Sequence, residues 1–97
     1  MGQIRAVVGE GFEVVLESVA GTGFRWEALV PEGKGVVLVE EELEGSAPGR
    51  VGGSVRQRFR FEAGEPGKLE LRFVYRRPWE SEPPLEERVF SVRVEPE

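Results

Sequence analysis

An all-β antiparallel sandwich of seven to eight strands is the fold that this 97-residue sequence predicts, and three observations predict it. Apolar residues recur with a period of two along most segments, which is the pattern of a half-buried strand. Gly and Pro punctuate the chain between those segments. No apolar run is long enough for a transmembrane helix or a signal-peptide core.

A first strand is expected near Gln3 to Val8. In the second, Phe12, Val14 and Leu16 alternate with Glu13, Val15 and Glu17. A third runs from Phe24 to Val30 and a fourth from Val36 to Leu43. Glu40, Glu41, Glu42 and Leu43 are good helix formers, but the β-branched Val36, Val37 and Val39 favour strand in the fourth. The fifth sets Val55, Gln57, Phe59 and Phe61 against Arg56, Arg58, Arg60 and Glu62. The sixth sets Leu69, Leu71, Phe73 and Tyr75 against Glu70, Arg72, Val74 and Arg76, and the seventh Phe90, Val92 and Val94 against Ser91, Arg93 and Glu95. The expected core is Phe12, Val14, Leu16, Trp26, Phe59, Phe61, Leu71, Phe73, Phe90 and Val92. This is the size and rhythm of an immunoglobulin-like sandwich, with Trp26 where such folds bury a Trp on the third strand. One domain, 1–97, is expected.

Val, Ile, Leu and Phe account for 29 of the 97 residues, enough for a single core. The absences exclude whole chemistries: there is no Cys, His, Asp or Asn, and Thr22 is the one Thr. No thiol or Ser-His-Asp nucleophile system can be written, nor a Cys or His metal site, nor a disulfide framework. Glu alone remains as a general acid or base, and with 18 of them any carboxylate pair arises by chance. The sequence therefore predicts no enzyme, no metal and no cofactor. A net charge of −5 repels phosphate backbones and anionic lipid, so neither nucleic acid nor a membrane is an expected partner. The Glu- and Arg-rich balance is that of a thermally robust protein. The expected location is the cytoplasm if Met1 is the native start, or the periplasm or exterior if a leader was removed. A monomer is the working expectation.

Alternate connections of an antiparallel sandwich fall at opposite ends. Gly9 to Gly11, Pro31 to Gly35 and Gly64 to Gly67 read as tight, structural turns at one end. Ser18 to Gly23, Glu44 to Gly53 and Arg77 to Glu87 are longer and carry the unusual residues, as binding loops on a rigid scaffold do. The first of these has a slim Gly21-Thr22-Gly23 tip followed by Phe24. The second carries the pair Gly52-Gly53. The third carries Arg77-Pro78-Trp79, a large aromatic pinned by Pro and flanked by Arg, which is the composition of a binding hot spot.

A Thr-Gly-aromatic tip with Trp two residues further on, a Gly-Gly pair opening a strand, and Arg-Pro-Trp after a strand ending in Tyr, in that order, resemble the chagasin-type inhibitors of papain-like cysteine peptidases. The resemblance spans about Leu16 to Val94. It implies an immunoglobulin-like sandwich whose three loops occlude the peptidase cleft reversibly and without catalysis. It assigns peptidase binding to Gly21, Thr22, Gly23, Phe24, Gly52, Gly53, Arg77, Pro78 and Trp79. The family's tip begins Asn-Pro-Thr where this chain has Val19, Ala20 and Gly21, so the loop is expected to be less pre-organised by its own sequence. The rival reading is a non-inhibitory immunoglobulin-like protein-binding module. A polyanion-binding stripe of Arg56, Arg58, Arg60, Arg72 and Arg76 is opposed by the net charge and by carboxylates on the facing strands.

Overall fold

Period-two alternation folds as read. A computed structural model describes residues 2–45 and 53–97, and among them there are seven strands and no helix. The strands are β1 (Gly2–Val7), β2 (Gly11–Val19), β3 (Arg25–Leu29), β4 (Val36–Gly45), β5 (Ser54–Ala63), β6 (Gly67–Arg76) and β7 (Glu86–Glu95). They form a four-stranded sheet in the order β1-β7-β6-β3 and a three-stranded sheet in the order β2-β5-β4. One pairing departs from the all-antiparallel expectation: β1 runs parallel to β7, Gly2 opposite Phe90 and Val7 opposite Glu95. The turn after β1 sends the chain across to the other sheet, so β1 finds its partner in the last strand rather than in a hairpin.

The core lies where the inward rows of both sheets meet. Phe59, Phe61, Leu71 and Phe73 are fully enclosed, with Val14, Leu16, Trp26 and Val92 buried around them. Each such large side chain contributes roughly 1.5 to 3 kcal/mol by leaving water. The rings meet tilted or edge-on, Phe59 and Phe61 lying 5.1 and 6.2 Å from Phe73, the geometry that aromatic quadrupoles prefer. Two expected core residues are half-buried instead. Phe12 stacks on Phe61 at 5.2 Å and Phe90 meets Phe73 edge-on at 5.6 Å, both from the flank of the cluster.

The charged faces pair across strands. Arg58 lies 2.7 Å from Glu44, and Arg60 lies 3.3 Å from Glu40 and 3.4 Å from Glu13. Arg72 pairs with Glu87. Most of the proposed arginine stripe is thus neutralised in place, which removes the basis of the polyanion reading. β4 is a strand, not a helix, yet it is exposed from Val37 onward because it forms the edge of the three-stranded sheet. A register shift between Leu38 and Glu40 marks a bulge in it.

The two ends are built differently. At one, the turns interlock: Gly9 N–H donates to Ala63 O at 3.0 Å and Gly64 N–H to Gly35 O at 2.7 Å. The other end gathers the connections 20–24 and 77–85, together with Gly45 at the end of β4 and Gly53 before β5.

Candidate functional site

The first loop leaves β2 at Val19 and turns through two glycines in left-handed backbone, Gly21 at φ 83° and Gly23 at φ 81°, which L side chains rarely adopt. Between them Thr22 ties the loop to itself. Its hydroxyl donates to Val19 O at 3.0 Å and accepts the Phe24 N–H at 3.2 Å. The hydroxyl works as a local clasp, the side-chain-to-backbone turn to which Ser and Thr are suited. Phe24 turns inward rather than out, stacking on Tyr75 at 5.4 Å against the edge of the core.

The third loop opens with a turn in which Glu80 N–H donates to Arg77 O at 3.0 Å, placing Pro78 and Trp79 at its two central positions. Pro supplies the backbone angle that the first of these requires. Leu85 N–H closes the loop onto Tyr75 O at 2.8 Å. Trp79 is 72% exposed, so a large indole stands in water at the loop end. Exposed Val19, the last residue of β2, and Leu85, just before β7, belong to the same end of the sandwich; a lone apolar residue at a strand end or in a loop carries no pattern in a one-dimensional reading.

The first and third loops are joined. Arg77 donates from Nε to Thr22 O at 2.9 Å and lays its guanidinium 4.5 Å from the centre of the Phe24 ring. Trp79 closes over Gly23: a Cβ built there would lie 2.5 Å from Trp79 Cη2 and 3.1 Å from Cζ2. Gly23 therefore serves two requirements at once, its backbone angle and the seat of the indole. The second loop reaches the first through Ala20 N–H, which donates to Gly53 O at 2.8 Å. Gly52 lies outside the described residues. Gly21, Thr22, Gly23, Phe24, Gly53, Arg77, Pro78 and Trp79 thus come together at one end, but Phe24 and Arg77 face into the assembly and Trp79 faces out.

Beside the third loop a side groove of about 320 Å³ runs between the β3 edge and Glu41 of β4, lined by Arg25, Trp26, Glu27, Arg76 and Pro78. Arg76 spans its wall, donating to Glu80 O and lying 4.0 Å from Glu27. Gln57 is a contributor that the motifs do not single out, and Tyr75 enters them only as the Tyr that ends the strand before Arg77-Pro78-Trp79. Both occupy inward positions of regular strands, where a sequence pattern reads them as filling.

A family model described as Chagasin family peptidase inhibitor I42 matches residues 5–94. No curated protein matches the chain. Among solved structures, the cysteine protease inhibitor EhICP2 from Entamoeba histolytica superposes with a TM-score of 0.81 at 21% identity, over 97% of this chain and 86% of that one. The solution structure of Amebosin gives 0.70 at 27% identity, over 98% and 88%. PbICP-C, solved in complex with falcipain-2, gives 0.71 at 20% identity, over 96% and 86%. The likenesses at 20 and 21% identity establish the sandwich fold.

Proposed function

The chain belongs to the chagasin family of peptidase inhibitors, and from that premise we propose that it blocks papain-like cysteine peptidases by seating its three-loop end across the active-site cleft. It is an inhibitor and not an enzyme, in keeping with a sequence that holds no thiol and no imidazole. The observation that carries the site assignment is the locking of the first and third loops into one surface by Arg77 and by Trp79 over Gly23.

In this reading Gly21, Thr22 and Gly23 form the wedge. Their side chains are small and the Thr22 hydroxyl is spent within the loop, so the wedge offers slim backbone to a narrow cleft and presents no well-placed scissile bond. Trp79 supplies the aromatic anchor to one side, with Val19 and Leu85 as apolar rim. Gly52 and Gly53 run along the cleft with main-chain hydrogen bonds, as a substrate strand does. Phe24, Arg77 and Pro78 act from beneath, holding tip and anchor in register. A surface braced before contact keeps the ordering cost of binding low.

The test is titration of papain with the purified protein. Reversible, competitive inhibition with a dissociation constant between nanomolar and micromolar, about −12 to −8 kcal/mol, is expected. Absence of inhibition of several papain-like peptidases at about 100 μM, roughly a hundredfold above the weak end of that range, sinks the proposal.

A further inference from the structure

The first loop is gripped at both roots by side chains from strands that carry the other two loops. At the outgoing root, Val19 N–H donates to Tyr75 Oη at 3.3 Å. At the incoming root stands Gln57, fully buried beside the apolar core. Its carboxamide docks on the edge of β3 as a peptide group would: Oε1 accepts the Trp26 N–H at 2.7 Å and Nε2 donates to Trp26 O at 3.1 Å. Trp26 Nε1 then donates to Glu17 O at 2.9 Å, tying one root to the other. Tyr75 also packs between Phe24 at 5.4 Å and Trp26 at 4.9 Å.

A buried carboxamide is costly unless both its ends are paired, and here both are. Packing alone requires only an apolar residue of similar volume, so the amide's contribution lies in what it bonds. What it bonds is the backbone three residues beyond Gly23. The strands are equally specific: β5 begins directly after the second loop, and β6 ends directly before Arg77.

We propose that Gln57 and Tyr75 are positioning residues of the inhibitory surface: without touching the peptidase, they fix the Gly21–Gly23 tip relative to the other two loops. The inference rests on the three-loop reading above. A tip released at either root spends part of its time out of register, and apparent affinity falls by the fraction of time it is competent.

The experiment compares the unaltered protein with Gln57→Met, Tyr75→Phe and Trp79→Ala. It measures amide hydrogen exchange in the free protein and inhibition constants against papain. Gln57→Met and Tyr75→Phe are expected to speed exchange at residues 20–24 while leaving the amides of Leu71 and Phe73 unchanged. The inhibition constant should rise about 5-fold for Tyr75→Phe, the equivalent of one neutral hydrogen bond, and about 10-fold or more for Gln57→Met. Tyr75→Phe deletes a single oxygen and keeps the ring, so it decides the matter alone if Gln57→Met fails to fold. Unchanged loop exchange, or faster exchange with undiminished inhibition, overturns the positioning role. Full inhibitory strength in Trp79→Ala instead overturns the three-loop reading, and the free-protein exchange result still stands.

Discussion

Trp79 is the residue where binding and packing should separate most cleanly. Its indole stands mostly in water and belongs to no strand, so Trp79→Ala should cost about 2 to 4 kcal/mol of affinity with little change in melting temperature. A marked loss of thermal stability with unchanged inhibition would make it a packing residue instead. Gly23→Ala meets two obstacles, a left-handed backbone costing about 1 to 3 kcal/mol and an indole in the space of the new methyl. Because the second obstacle exists only when the ring is present, the two substitutions should be non-additive, the double variant binding better than the sum of the single losses predicts. For Thr22 the informative comparison is Ala against Ser. Ser keeps the hydroxyl that clasps Val19 O and Phe24 N–H and should inhibit almost as the parent does, whereas Ala should lose about 1 kcal/mol, read as an inhibition constant. The Gly-Thr-Gly tip was legible as a slim turn from composition alone. The inward turn of Phe24 was not, because it is decided by Tyr75 on a distant strand.

Among the elements, β5 and β6 were the most legible. β5 lies between Gly53 and Gly64 and β6 begins at Gly67; apart from Gln57 and Val74 both alternate apolar and charged residues through most of their length, and a residue's face follows from that alternation. Partner choice does not follow from it, which is why the parallel pairing of β1 with β7 escaped the sequence: alternation says which side chains point inward, not which strand lies alongside. Gln57 was correctly placed on the inner face for the same reason, while its bonds to Trp26 depend on how the two sheets stack. β4 is the vulnerable element. Its free edge carries exposed Val37, Val39 and Leu43, and its outer row of Glu40, Glu42 and Glu44 both pairs with Arg58 and Arg60 and charges that edge. Replacing the three with Gln should lower stability by less than about 1 kcal/mol per exposed pair. It should raise edge-to-edge self-association far more, visible as a concentration-dependent increase in light scattering.

The whole molecule divides its labour by end, with interlocked short turns at one pole and braced loops at the other. No covalent bridge holds the sandwich, since the chain contains no cysteine. The thiol reductants that keep a cysteine peptidase active should therefore leave this protein's melting temperature unchanged. The parallel course of β1 beside β7 carries a practical corollary. Antiparallel first and last strands would bring the two chain ends to the same pole of their shared ladder; parallel ones place them at opposite poles. Gly2 sits level with Phe90, about 13 Å of strand from the Glu86 end of β7 that adjoins the loops, whereas Glu97 lies against Gly9 among the closed turns. Chain direction thus works as a compass. Anchored to a solid support through its carboxyl end, the domain should present its loops to solution and capture papain, while anchorage through its amino end should crowd them against the matrix and retain less of the enzyme.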